Sequence, residues 1–138
     1  MPQSCPVFIR KRRKLFEWQQ SALDYANSRS RIALFMEMRL GKTTVVIRWL
    51  SRITGRKLVI MPGEAVLGWL DELHAEHIPT DRVVQLIGSR SERMDRLMQS
   101  PDNCWCLINY EGLRVLRDDI TKISWDAVVL DESTRIRK

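Results

Sequence analysis

Cysteine is scarce: Cys5, Cys104 and Cys106 are the only three in 138 residues. So odd and sparse a set cannot supply a secreted disulfide framework, and a reducing cytoplasm is the expected compartment. Cys104 and Cys106 flank Trp105 in an apolar, strand-like run. Alternation puts both on one face, as core thiols rather than metal ligands. Histidine is scarcer still. His74 and His77 stand in HAEH, without the HExxH spacing that sets two imidazoles around a glutamate on one helix face, so both are expected on the surface. No apolar h-region opens the chain, and no stretch approaches the roughly 20 apolar residues of a membrane span. A soluble protein without a membrane partner is expected. Internal repeats, low-complexity tracts and interdomain linkers are lacking too.

What is present fits one packed domain. Hydrophobic residues make up 44% and charged residues 29%, a balance that argues against wholesale disorder. The length allows a real core but not two lobes. A net charge of +6 favours polyanions such as DNA or RNA through counterion release. Basic residues gather at Arg10 to Lys14, at Arg90, Arg93 and Arg96, and at Arg135, Arg137 and Lys138. Each run taken singly reads as a solvated face or a chain end.

Residues 1–13 carry two prolines and a basic run without periodicity, an arm ahead of a domain spanning 14–138. From Leu15 to Tyr25 one helical stripe runs through Leu15, Trp18, Ala22, Leu23 and Tyr25. A strand is expected over Arg31 to Met36 and a helix from Lys42 to Ile53, its apolar face at Val45, Val46, Trp49, Leu50 and Ile53, with Gly55 as its C-cap. Strands follow at Lys57 to Met61, Arg82 to Ile87, Cys104 to Asn109 and Ala127 to Leu130. Helices fall between them at Glu64 to His77, with Val66, Leu67, Leu70 and Leu73 inward, at Ser89 to Gln99, and at Tyr110 to Leu116. Strict alternation predicts an α/β fold with a mainly parallel sheet covered on both faces.

Two segments carry chemistry. MEMRLGKT, Met36 to Thr43, joins a strand to a helix as a P-loop does. Loop amides and the helix N-terminus face an anion, Lys42 reaches the β- and γ-phosphates, and the Thr43 hydroxyl ligates Mg²⁺. The nucleotide-contacting set is Met38, Arg39, Leu40, Gly41, Lys42, Thr43 and Thr44. Downstream, Val128, Val129 and Leu130 lead into Asp131 and Glu132, an apolar strand ending in two acids. One carboxylate can hold hydrated Mg²⁺, and the next can orient or deprotonate water.

The order of GKT, a VIMP strand end, a Trp-x-x-Glu-Leu helix, an NYE turn and a DEST box resembles the first RecA-like lobe of superfamily-two helicases, above all the SWI/SNF-type branch and its phage relatives. The resemblance runs from Leu15 to Lys138. It implies a three-layer α/β P-loop domain using ATP and Mg²⁺, with a nucleic-acid partner, DNA ahead of RNA, in the cytoplasm of a bacterium or a phage-infected host. It also implies an adenine contact at Gln19, with Gln20 as the second choice, Thr43 and Asp131 on the metal, and Lys42 and Glu132 as the catalytic pair. Pro62, Asn109 and Tyr110 then lie near the nucleic-acid path.

Arg39 stands where the family commonly has glycine, so its side chain must point outward or offer its guanidinium to the nucleotide. Met36 and the Ser133–Thr134 pair also depart from the usual residues. The chain stops just past DEST, so the lobe is expected to be incomplete. The second lobe and its arginine finger, worth about 10³ to 10⁵ in rate, would come from the intact gene product or in trans. The expected function is the ATP-binding portion of a nucleic-acid-dependent ATPase, not a motor by itself. The alternatives are a non-catalytic nucleotide- and nucleic-acid-binding module and, further off, a small P-loop kinase.

Overall fold

A computed structural model describes residues 14–27 and 42–131. Five helices and four strands are found there: α1 (Glu17–Asn27), α2 (Lys42–Ser51), β1 (Arg56–Met61), α3 (Val66–Ala75), β2 (Val83–Gln85), α4 (Arg90–Met98), β3 (Cys104–Asn109), α5 (Tyr110–Thr121) and β4 (Ala127–Leu130). The expected strand at Arg31 to Met36 and the loop through Gly41 lie outside the described residues. The four strands form one sheet in the order β2-β3-β1-β4, and each pairing is parallel. The α/β class and the parallel sheet therefore stand as the alternation predicts.

The two faces of β1 and β3 feed two cores. Val59, Met61, Trp105 and Leu107 pack with Ile47, Trp49 and Leu50 of α2 and Trp69 and Leu73 of α3. Leu58, Ile60, Cys104, Cys106 and Ile108 pack with Leu97 of α4 and Leu116 and Ile120 of α5. Alternation thus sends successive residues to opposite layers, giving helix, sheet, helix. The Cys104 and Cys106 sulfurs lie 3.6 Å apart in the second core. A hydrogen bond between them lowers the Cys104 pKa and raises that of Cys106, which burial pushes up further.

Several boundaries differ from the sequence expectation for local reasons. On α3 the inward stripe is Val66, Trp69, Leu70 and Leu73, whereas Leu67, one residue off it, is 74% exposed. A 3₁₀ turn at Gly63–Ala65 precedes that helix, which stops at Ala75. His77 then takes φ 64°, with its amide on His74 O and that of Ile78 on Leu73 O, a Schellman closure built without glycine. Gly55 does not cap α2, which ends four residues earlier. It enters β1 at φ +135°, and an added Cβ would lie 2.0 Å from Asp126 Oδ2.

The edge strand β2 keeps only three residues, because Arg82 belongs to a 3₁₀ turn and the chain bends at Gly88, φ +100°. In contrast α5 runs five residues past the expected end at Leu116, its stripe of Gly112, Leu116 and Ile120 remaining buried. Both histidines are exposed, as expected. No helix among the described residues is long and apolar enough to cross a membrane.

Candidate functional site

Parallel strands deliver their carboxyl ends to one edge of the sheet, where ligands of open α/β folds bind. That edge gathers Pro62 after β1, Asn109 and Tyr110 at the end of β3, and Asp131 after β4. Asp131 is the best-held group there. Its amide extends the ladder to Ile60 O at 2.8 Å, and the residue is 4% exposed. Trp69 Nε1 of α3 donates to Asp131 Oδ2 at 2.9 Å, and the Tyr110 hydroxyl donates to the Asp131 carbonyl at 2.7 Å. Carboxylate and backbone are thus gripped from opposite layers of the fold.

The first turn of α2 is tied to the same part of α3. Thr44 Oγ1 donates to Glu72 Oε2 at 3.0 Å, and Glu72 lies three residues after Trp69, on the neighbouring turn position. One turn further along both helices, Arg48 meets Glu76 through Nε and Nη2, the carboxylate being wholly buried. Lys42 is the first helical residue and half-buried Thr43 the second. The amides of such a first turn have no intrahelical acceptors and suit an anion. One turn of α3 therefore holds both the start of the helix that follows the glycine–lysine pair and the acidic end of β4. Met38, Arg39, Leu40, Gly41 and Glu132 lie outside the described residues.

Gln19 is 6% exposed and sits at the third position of α1. Its Oε1 accepts from Phe16 N at 2.9 Å, half of a capping box. Pro62 is buried, and its carbonyl accepts from Ala65 N. Asn109 Oδ1 caps α5 through Gly112 N at 2.7 Å, so this side chain shapes the turn after β3. Thr44, Pro62 and Asn109 hence make identifiable contacts within the fold.

Sequence reasoning missed Arg93. Its Nε donates to Gly88 O at 2.8 Å and its Nη1 to Asn109 Oδ1 at 3.4 Å, joining the turn after β2 to the cap of α5. Gly112 gives it room, since a Cβ there would lie 1.7 Å from Arg93 Nη1 and the guanidinium would have to shift. Ser89 and Glu92, one turn earlier, form a complete capping box at the start of α4. That S-x-x-E pattern was legible and would have fixed which way Arg93 faces. The Thr44–Glu72 and Arg48–Glu76 ties join two pairs of polar residues, each pair four positions apart, one in α2 and the other in α3 and its C-cap.

The SNF2-related domain family matches residues 15–138. The chain belongs to that family. Within the SNF2 relatives, it is 27% identical to the DNA excision repair protein ERCC-6 of Homo sapiens over 96% of its own length. It is 26% identical over 86% to the ATP-dependent helicase BRM of Arabidopsis thaliana, and 29% identical over 73% to the ISWI chromatin-remodeling complex ATPase ISW1 of Saccharomyces cerevisiae. It spans about a tenth or less of the length of these curated relatives, 10% of ERCC-6 and of ISW1 and 6% of BRM. The likeness carried by the GKT, NYE and DEST segments therefore holds at the level of the family, and the parallel α/β sheet fits the first lobe of an SNF2-type ATPase.

Proposed function

We propose that this chain is the ATP-binding portion of a DNA-dependent ATPase of the SWI/SNF type, with residues 1–13 as a basic arm and 14–138 as the lobe. The observation that carries the reading is the shared hold of α3 on Thr44 and Asp131, which sets a phosphate-type helix start beside a buried carboxylate. The donor set fits a hydrated Mg²⁺ nucleotide. A threonine hydroxyl and a carboxylate are hard oxygen ligands of the kind Mg²⁺ takes, in small number, alongside phosphates. When bound, Mg²⁺ neutralises charge on the phosphate oxygens.

The chain's own residues do the rest. Lys42 meets the phosphates, and Thr43 and Asp131 hold the metal. The Trp69 hydrogen bond fixes the plane of the Asp131 carboxylate before any nucleotide arrives. Glu132 orients the attacking water and takes its proton, Gln19 meets adenine, and the loop residues Met38 to Gly41 line the phosphates. Pro62, Asn109 and Tyr110 form the nucleic-acid edge through backbone shape more than through side-chain reach, because Asn109 is engaged in capping. The names of the relatives speak of DNA repair, ATP dependence and chromatin remodelling, and they support DNA over RNA. A second lobe completes the motor.

The test is nucleotide binding and hydrolysis with and without duplex DNA. Wild type should bind Mg-ATP, Lys42→Ala should lose that binding, and Glu132→Gln should bind without turnover. Binding that survives in Lys42→Ala would refute the site. Tight binding with no DNA-stimulated hydrolysis, even with a second lobe added, would favour a non-catalytic binding module.

A further inference from the structure

The far edge of the sheet, where the strands begin, holds a buried ammonium without an ion-pair partner among the described residues. Lys57 is 2% exposed, at the start of the central strand β1. Its ammonium reaches only neutral acceptors, Gly55 O at 3.4 Å and Asn103 Oδ1 at 3.3 Å, both at the long limit for N–H···O bonds. It lies 5.2 Å from the centroid of the Trp105 ring. Among the described residues no carboxylate stands within ion-pair distance of it. Of the groups that favour its charge the Cys104 thiol comes first and Asp126 second, and Asp126 turns Oδ2 to the Arg56 amide instead. Buried charges are normally paired, because leaving water costs several kcal/mol that only an opposite charge restores. Burial accordingly holds the Lys57 pKa below its ordinary value.

Beside this ammonium opens a pocket of about 190 Å³, lined by Ser51, Thr54, Lys57, Arg82, Asn103 and Trp105 among others. Its lining has two cations, two hydroxyls and an amide, and no carboxylate. Arg82 is exposed and spends Nη1 on Asn103 O at 3.1 Å, which aims the guanidinium along the pocket wall and leaves donors over. The same arrangement repels within itself: the charge on Arg82 helps to lower the pKa of Lys57. An anion seated between the two would supply the ion-pair partner and relieve the mutual repulsion, with the Thr54 hydroxyl as a further donor, since Ser51 Oγ donates to Ile47 O.

We infer that this pocket is a binding site for a small phosphate or phosphomonoester, held by Lys57 and Arg82 at the opposite edge of the sheet from Asp131. A dianion suits two cations, and the concave volume suits a compact group. The site stands whether or not the nucleotide reading of the carboxyl edge is right.

The test uses the full chain with inorganic phosphate as the probe, against chloride at equal ionic strength, in a Lys42→Ala background that removes the proposed nucleotide site. Thermal unfolding and the ¹³Cε shift of Lys57 are read together. At phosphate about five times its dissociation constant, the midpoint should rise by about 4 °C, as mass action on a domain of this size requires. The Lys57 pKa should rise with it. Arg82→Ala, an exposed change that leaves the fold intact, should lose most of the shift, and Lys57→Met all of it. Diethyl phosphate, a monoanionic diester like a nucleic-acid backbone, should give little effect. A phosphate response missing from Lys42→Ala, one that survives in Arg82→Ala with the Lys57 pKa unmoved, or one matched by the diester would overturn the assignment.

Discussion

Two buried tryptophans on the same face of the sheet have opposite polar accounts. Trp69 Nε1 donates to Asp131, a bond to a charged acceptor. Trp49, 9% exposed, has no partner for its Nε1, although the Arg52 guanidinium lies 5.9 Å from its ring centroid. Hydrogen bonds to charged groups contribute about 1.5–3 kcal/mol, whereas removing an unsatisfied donor relieves a desolvation penalty. Trp69→Phe should therefore lower unfolding free energy in urea by roughly 2 kcal/mol. Trp49→Phe should change it by less than about 1 kcal/mol, the lost ring area offset by the relieved N–H. Equal losses in the two variants would contradict this.

Lys57 sets a residue-scale pH dependence of its own. Its pKa is lowered on folding, so the unfolded chain holds that proton more tightly. Stability should then rise as pH climbs towards the unfolded value near 10.5, and the rise should be missing from Lys57→Met when denaturation midpoints are followed across alkaline pH. For Glu92 the hydrogen bonds from Ser89, backbone first, hold the carboxyl below its ordinary 4.5. That contribution is complete above pH 4.5 and is lost as pH falls through the lowered folded value.

At the scale of elements, the joints matter more than the helices. Glu76 is 1% exposed and is matched to Arg48 across the α2–α3 contact. Removing one partner of a buried pair strands the other charge, so Glu76→Ala should cost about 3–5 kcal/mol, with Glu76→Ala/Arg48→Met recovering much of it. A double variant no more stable than the single one would show that Arg48 finds water instead. Similarly, Gly112→Ala should displace Arg93 and uncouple α4 from α5. Amide exchange at position 112 should then quicken, since Asn109 Oδ1 accepts from both the residue-112 amide and Arg93 Nη1.

These joints also mark what the sequence could and could not disclose. Strand positions at Cys104 to Asn109 and Ala127 to Leu130 were readable because apolar runs with turn signals leave one interpretation. The end of α5 was not readable, because charged residues at Arg117, Asp118 and Asp119 dilute a stripe whose next member is Ile120. Leu67 misled for the opposite reason, being apolar yet outside the inward stripe. Asp131 was proposed as a site residue from its place after three apolar residues. Its grip by Trp69 spans 62 positions of sequence, and no local pattern encodes such a contact.

For the whole molecule, the sheet has two ends with proposed roles, and the sequence a charge of +6 to distribute. The carboxyl end presents the DNA-type edge proposed above, and the amino end the Lys57 pocket. If the basic surface meets a nucleic-acid backbone, the logarithm of the binding constant should fall linearly with the logarithm of salt concentration, by about 0.9 for each phosphate neutralised on duplex DNA. Affinity measured by fluorescence anisotropy between low and physiological salt checks this, and a flat response would exclude a backbone-dominated contact.

The strand order has one more consequence, in time rather than in space. β1 lies between β3 and β4; the Cys104 amide closes on Gly55 O just ahead of it, and its first amide, at Arg56, is held by the carboxylate of Asp126, 70 positions downstream. During synthesis at about 5–20 residues per second, that strand leaves the ribosome roughly 4 to 14 s before its last partner exists. β3 follows it by 48 positions (Arg56 to Cys104) and β4 by 70 (Lys57 to Ala127), so one edge of the apolar run from Leu58 to Met61 stays unpaired to the end of that interval. The nascent chain is thus most exposed to mispairing at the strand that later becomes its centre.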